Sequence, residues 1–336
     1  MKSKTKNITS PGKNISSPGY KYYYTLLDDG EKQCYNAILN ALLQHQEKIT
    51  TPKFYPNHLG RIFSYVIYDN PVIFYFDNYS YAEYYIEDKT EISLSYTMDK
   101  SQALTVYKQI CEKIQNEIPL AGKNLSDYQK VLYVHKYLVS NISYDYTFNN
   151  DTSYNILGPV INHSGVCEGI SKYSKMIFDL LGINCIVVNG TLDQKGDKVP
   201  HCWNILEVDN RFSHFDFTSD ICLSDKNERY DYVGLNDGSI RRDHTMMGKY
   251  PMCSANEYYV STGKVLKTKK DVSSAIVHAL RNGEKTIVFK IDSNVPATNL
   301  LPQLDKIIEL SAANFRFSNY VVSYNETQNV FQIDFH

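Results

Sequence analysis

The sequence predicts an α+β protein, and three observations carry that expectation. Apolar residues recur at spacings of three and four in several separate stretches, and tyrosine-rich or β-branched runs fall between them. A cysteine at the head of one helical stretch is followed by two strands sharing a short turn. Up to about residue 250 the region around that cysteine follows a helix-then-strands order.

The elements follow in order. Residues 1–19 hold a direct repeat, Lys-Asn-Ile-Thr-Ser-Pro-Gly at 6–12 and Lys-Asn-Ile-Ser-Ser-Pro-Gly at 13–19. This composition predicts a flexible leader, and with no apolar h-region it does not read as a signal peptide. Residues 28–50 form an amphipathic helix with Tyr35, Ile38, Leu39, Leu42 and Leu43 on one face. A short helix over 61–68, tyrosine-rich strands around 72–97 and a helix over 100–118 complete an α+β leader. A helix at 126–140 then leads into the cysteine region. Beyond Pro251 the pattern becomes helix 271–281, strand 285–292, helix 298–312 and strands 318–325 and 328–335, with Gly283 and Asn325 as turn signals. This last part reads as a small α/β unit that positions substrate or contacts a partner.

Cys167 lies in Gly165-Val166-Cys167-Glu168-Gly169, ahead of apolar Ile170, Tyr173, Ile177, Phe178 and Leu181, with Gly182 as the expected C-cap. It therefore stands at a helix N-terminus, where free amides and the macrodipole favour a thiolate. Gly169 leaves the first turn open to close approach. Downstream, 201–208 and 211–218 read as strands joined by Asp209-Asn210, a pair that tolerates positive φ. With Val208 opposite Arg211, Trp203 falls opposite Asp216 and His201 opposite Thr218. His201, Trp203 and Asp216 then share one face, and His201 and Asp216 are diagonal neighbours. A thiol, an imidazole and a carboxylate to fix its tautomer are what nucleophilic acyl transfer requires.

The motifs Gly-Val-Cys-Glu-Gly at 165–169, His-Cys-Trp-Asn at 201–204 and His-Phe-Asp-Phe-Thr at 214–218 resemble those of the transglutaminase-like superfamily. The resemblance covers about residues 125–250. It implies a papain-like core, a cysteine-bearing helix packed on an antiparallel sheet, with Cys167 as nucleophile, His201 as base and Asp216 as orienter. Tyr-Tyr-Tyr at 22–24, Tyr-Asp-Asn-Pro at 68–71 and Ser-Tyr-Thr-Met at 95–98 resemble the helical leader of bacterial secreted or surface members. Two positions depart from the family: Cys202, where alanine is more usual, and Ser219, where many members have tryptophan. The expected organisation is a leader at 1–19, an N-terminal α+β domain at 20–120, a transglutaminase-like core at 121–250 and a small α/β domain at 251–336.

Other residues compete for roles around this core. Trp203 reads as packing against the helix or as a cleft wall, and His163 as a surface or substrate-contact residue. His214 reads as packing with a supporting role in reserve, and His135 as structural. The Cys167 amide can stabilise an oxyanion, and the Tyr144 hydroxyl is a candidate second donor.

Composition limits the alternatives. The chain has 336 residues, 43% hydrophobic, with a formal net charge of -2, so no global field invites nucleic acid. No apolar run reaches the length of a membrane span. The 29 tyrosines suit surfaces that bind peptides or sugars, or reflect compositional bias. Seven cysteines at 34, 111, 167, 185, 202, 222 and 253 form no Cys-x-x-Cys pair, which argues against a zinc ribbon and against the peptide N-glycanases that share the triad. No metal or other cofactor is expected. The favoured reading is a cysteine hydrolase acting on peptide or isopeptide bonds of a peptide or protein, cell-wall peptide included. A protein-crosslinking transglutaminase and a non-catalytic cell-wall or protein binding module are the alternatives. As written the chain reads as cytoplasmic, whereas the family implies secretion or a cell-surface location.

Overall fold

The computed structural model describes residues 15–16, 19–52, 56–119, 124–224, 228–254, 257–292 and 297–336. Most of the expected leader therefore lies outside the described residues, although Ile15 is buried. Helix α1 (Asp29–Gln44) opens on a capping box between Asp28 and Glu31. It stops well short of residue 50 because His45 turns left-handed at φ 55°, and the chain continues as strand β1 (Lys48–Pro52). Helix α2 (Pro56–Asp69) extends the expected 61–68 segment at both ends. Strands β2 (Phe76–Tyr84) and β3 (Lys89–Tyr96) join β1 in an antiparallel sheet of order β1-β3-β2. Helices α3 (Lys100–Glu117) and α4 (Asp127–Asn141) each begin with a capping box, Asp99 with Gln102 and Ser126 with Gln129.

The central part is built for the cysteine. A short parallel pair, β4 (Ser143–Tyr144) and β5 (Ser164–Gly165), delivers the chain to helix α5 (Cys167–Leu181), which Gly182 ends at φ 74° as expected. Helix α5 packs on a five-stranded antiparallel sheet of order β10-β6-β7-β8-β9. Its strands are β6 (Cys185–Gln194), β7 (Asp197–Val208), β8 (Arg211–Phe215), β9 (Val233–Leu235) and β10 (His244–Met246), with helix α6 (Phe217–Leu223) following β8. The cysteine-bearing helix on an antiparallel sheet is the core that the motifs imply.

The hairpin β7–β8 has the expected register from Asn204 opposite Phe215 to Val208 opposite Arg211, and both Asp209 (φ 51°) and Asn210 (φ 61°) adopt positive φ. One expectation is corrected. The second strand ends at Phe215, not Thr218, because Asp216 leaves the ladder to cap α6, its side chain accepting from Ser219 N. Trp203 and Asp216 are thus not a ladder pair. Alternation along β7 sends Leu206 and Val208 into the core shared with α5 and the N-terminal helices. Trp203 and Ile205 face a second core that includes Tyr22, Tyr23, Tyr232 and Ile240.

The C-terminal part forms a third core. It comprises β11 (Val265–Leu266), α7 (Lys269–Arg281), β12 (Thr286–Ile291), α8 (Ala297–Ala312), β13 (Tyr320–Asn325) and β14 (Val330–Phe335), with sheet order β11-β12-β14-β13. Its helices and longer strands follow the sequence pattern closely. Among the described residues no helix is long and apolar enough to cross a membrane.

Gly169 shows how tightly the start of α5 is held. A Cβ there would lie 2.1 Å from the Ser153 carbonyl oxygen, so its requirement is space, not φ. Gly169→Ala is therefore expected to cost about 1–3 kcal/mol in denaturant unfolding and to slow alkylation of Cys167. Unchanged stability together with an unchanged rate would contradict this packing.

Candidate active site

Cys167 is the first residue of α5, and its N-cap Val166 offers no side-chain acceptor to the helix amides. The free amides of the first turn are thus left to an approaching anion. The approach is pinned from below: Val166 N donates to Ser153 O at 3.0 Å, Asp145 N to Gly165 O at 3.0 Å, and Ser153 Oγ to Asp145 Oδ2 at 2.6 Å. The thiol is only partly exposed. It is held at about 5, first by a hydrogen bond with the Cys202 thiol, which outweighs burial, and then by hydrogen bonding and charge from His201.

The Cys202 S–H also points to Asn189 Oδ1 at 3.1 Å. A single proton shared between two acceptors is a weaker support than a fixed imidazolium, and sulfur is a poor donor. His201 is accordingly the partner on which a thiolate depends. Its Nε2 donates to Asp216 Oδ2 at 2.9 Å, which leaves Nδ1 for the sulfur. Burial disfavours the imidazolium, but the charge and hydrogen bond of Asp216, reinforced by Cys167, raise it to about 10. Between these two values Cys167 and His201 form a thiolate–imidazolium pair.

Asp216 is fully buried and accepts from four donors: His201 Nε2, His244 Nε2 at 3.1 Å, Ser219 N at 3.1 Å and the Ser219 hydroxyl. Burial alone would push its carboxyl up, yet the two imidazoles hold it well below the usual carboxylate range. His244 and its neighbour Asp243 were not legible from the sequence. Strand β10 is three residues long and carries no periodic signal, and His244 reaches the site only because β10 pairs with β6.

The structure brings Cys167, His201 and Asp216 together and distributes the other expected residues differently. Tyr144 lines the same cleft, its hydroxyl raised by burial and by the charge of Cys167. Trp203 is 0% exposed; its Nε1 donates to His214 Nδ1 at 3.1 Å and its ring stacks at 18° with His201, so it braces the site from behind. His163 is exposed, at φ 51°, with Nε2 3.2 Å from Lys113 Nζ, and does not line the cleft. His214 turns to Asp237 at 3.0 Å, and His135 is buried against Asp220 at 2.9 Å. Ser219, which departs from the family pattern, donates from both its backbone N and its hydroxyl to Asp216, the N-cap of α6.

The cleft holds about 830 Å³ and is walled by aromatic residues, Tyr144, Tyr146, Phe148 and Tyr154 on one side. The tip of the β13–β14 hairpin contributes Tyr324, Asn325 and Glu326. That tip is anchored to the central part by Arg242 Nη1 on Thr327 O at 3.2 Å and Gln328 Nε2 on Ser239 O at 3.1 Å.

Among the described residues, two groups bring the donor atoms of three His, Cys or Asp side chains within 4.8 Å of one another: His201, Asp216 and His244, and His214, Asp237 and Cys253. In the first, both imidazoles already direct protonated nitrogens at the carboxylate. In the second, Trp203 donates to His214 Nδ1, so the proton sits on the Nε2 that faces Asp237. An ion at either place would have to displace those protons.

Residues 115–217 match the profile of the transglutaminase-like superfamily, and this segment is a transglutaminase-like core. Two solved structures are similar to the chain. A proposed cysteine protease from Cytophaga hutchinsonii is 13% identical, with a TM-score of 0.29 over 42% of this chain and 61% of that one. A TGase is 16% identical, with a TM-score of 0.30 over 72% of this chain and 56% of that one. Each match thus spans less than two thirds of the solved chain's length. No curated protein matches the chain.

The charge pair makes a direct prediction. Iodoacetamide alkylation of Cys167, followed by mass spectrometry, is expected to rise with a midpoint at about 5 and stay flat through neutral pH. In His201→Ala the midpoint is expected to move up toward the ordinary thiol value of about 8.5. A Cys167 no more reactive than buried Cys34 or Cys111 would contradict the pairing.

Proposed function

We propose that this transglutaminase-like core is a cysteine-dependent acyl-transfer enzyme that hydrolyses amide bonds of peptides or proteins, isopeptide bonds and cell-wall peptides included. The observation that carries the reading is the thiol of Cys167 at a helix start against His201, itself hydrogen-bonded to buried Asp216 at 2.9 Å. The thiolate attacks the amide carbonyl carbon and the carbonyl oxygen becomes an oxyanion. The Cys167 amide meets that charge, with the Tyr144 hydroxyl as second donor. Collapse breaks the carbon–nitrogen bond, and the leaving amine takes its proton from the His201 imidazolium. Water then gives a proton to the neutral His201 and attacks the thioester carbon, the carbon–sulfur bond breaks to return the thiolate, and the carboxylic acid released gives its remaining proton to solvent. Asp216 keeps the imidazole in the tautomer both halves require.

Hydrolysis is favoured because the partly exposed thiol opens on a broad cleft that admits water as well as an extended peptide. Its aromatic walls suit a peptide backbone flanked by apolar or planar groups.

Peptide-library profiling with and without an added primary amine tests the reading. Wild type is expected to yield cleaved peptides, Cys167→Ala none, and Tyr144→Phe turnover lowered about 100-fold with alkylation of Cys167 unchanged. Products that incorporate the amine would make the protein a transglutaminase. Binding without turnover, equal in wild type and Cys167→Ala, would make it a binding module.

A further inference from the structure

We infer that His244 is a positioning residue for this reaction: an imidazolium clamped between Asp216 and Asp243 that fixes the carboxylate orienting His201 and moderates that histidine's hold on its proton. The inference rests on the acyl-transfer reading, and it concerns residues beyond the segment matched by the family profile.

The hydrogen-bond partners of His244 are those of a charged ring. His244 Nε2 lies 3.1 Å from Asp216 Oδ2 and Nδ1 lies 2.6 Å from Asp243 Oδ1. An ionised carboxylate only accepts, so each ring nitrogen must carry a proton. Asp216 already accepts from His201 and twice from Ser219, and Asp243 Oδ2 accepts from the Tyr232 hydroxyl at 2.5 Å. Asp216, already crowded by donors, is in no position to supply the missing proton, and the contacts of Asp243 are those of a carboxylate accepting at both oxygens. Burial disfavours a charged imidazole, and the two carboxylates nonetheless raise it.

The surroundings hold this ring in one pose. His244 is 2% exposed, and its ring meets Trp203 edge to face at 4.9 Å. The charged or titratable groups facing it are Asp216, Asp243, His201 at 5.4 Å between ring centres and Tyr232 at 5.6 Å, with His214 beyond Trp203. His214 contributes no charge near neutral pH, since burial lowers it to about 4.

Two imidazoles therefore share a single oxygen, Asp216 Oδ2. This arrangement has two consequences. Asp216 cannot rotate away from His201 without breaking its bond to His244. The positive charge of His244 also opposes that of His201, so His201 releases its proton to a leaving amine more readily than it would beside an unshared carboxylate. A purely structural histidine would affect stability but not the ionisation of His201.

The test uses the full chain and two variants. His244→Gln retains a donor toward Asp216 but removes the charge. Asp243→Asn lets a neutral His244 keep its N–H on Asp216 while accepting from the new amide. Ring titration of His201 by nuclear magnetic resonance is expected to move upward by about half to one pH unit in both variants, with kcat/KM lowered about tenfold and its alkaline limb displaced the same way. An unmoved His201 titration in a folded variant overturns the inference, as does failure of both variants to fold, which would make His244 structural. Lack of wild-type turnover would sink the acyl-transfer reading instead, and the His201 titration would still report the electrostatic role of His244.

Discussion

The site depends on one buried carboxylate. Asp216 is where strand β8, the start of α6 and strand β10 converge, and each contributes differently. The strand delivers the residue to the face occupied by His201, the Ser219 amide holds Oδ1 of its carboxylate, and the Ser219 hydroxyl and His244 both bond Oδ2, the oxygen His201 uses. Burying an anion is costly unless it is paired and fully hydrogen-bonded. Here the four donors meet that requirement, and the same donors leave His201 only one orientation. An imidazole so oriented sustains a thiolate at Cys167, so the reactivity of the thiol is set from a residue it does not touch.

Strand alternation supplies the second constraint. His201 and Cys202 are consecutive on β7 and point to opposite faces, yet both contribute to the environment of Cys167, because α5 begins at the sheet's margin. His201 joins the polar cluster with Asp216 and His244 beside Trp203. Cys202 lies on the side of α5, hydrogen-bonded to Asn189. A slip of one residue in β7 would exchange the two and take the His201 imidazole away from the thiol. The hairpin turn Asp209-Asn210, with both residues at positive φ, is what prevents the slip.

Much of this was legible in the sequence, for identifiable reasons. Helices such as α3, α4 and α5 carry both a stripe of apolar residues and a capping signal, so periodicity and chemistry agree. The β7–β8 hairpin combines β-branched and aromatic strands with a turn pair that admits one register. Errors fell where a local interaction overrides the pattern. Asp216 reads as a strand residue until its side chain is seen to cap α6, and His45 ends α1 by a left-handed turn that polarity alone does not reveal. His244 was missed for a different reason: its role comes from the pairing of β10 with β6, a contact between segments some fifty residues apart, for which a three-residue strand leaves no pattern. The β13–β14 hairpin tip is similar, since nothing local in Tyr324, Asn325 and Glu326 tells that they wall the cleft.

The most direct measurement is the pH titration of thiolate absorbance in wild type and Asp216→Asn, each corrected by the matching Cys167→Ala background. If Asp216 sustains the charge pair, the wild-type thiolate persists down to about pH 5, and in Asp216→Asn its midpoint rises toward that of an ordinary thiol. A wild-type thiolate that forms only above neutral pH, or a midpoint unchanged by the substitution in a folded protein, would contradict the account.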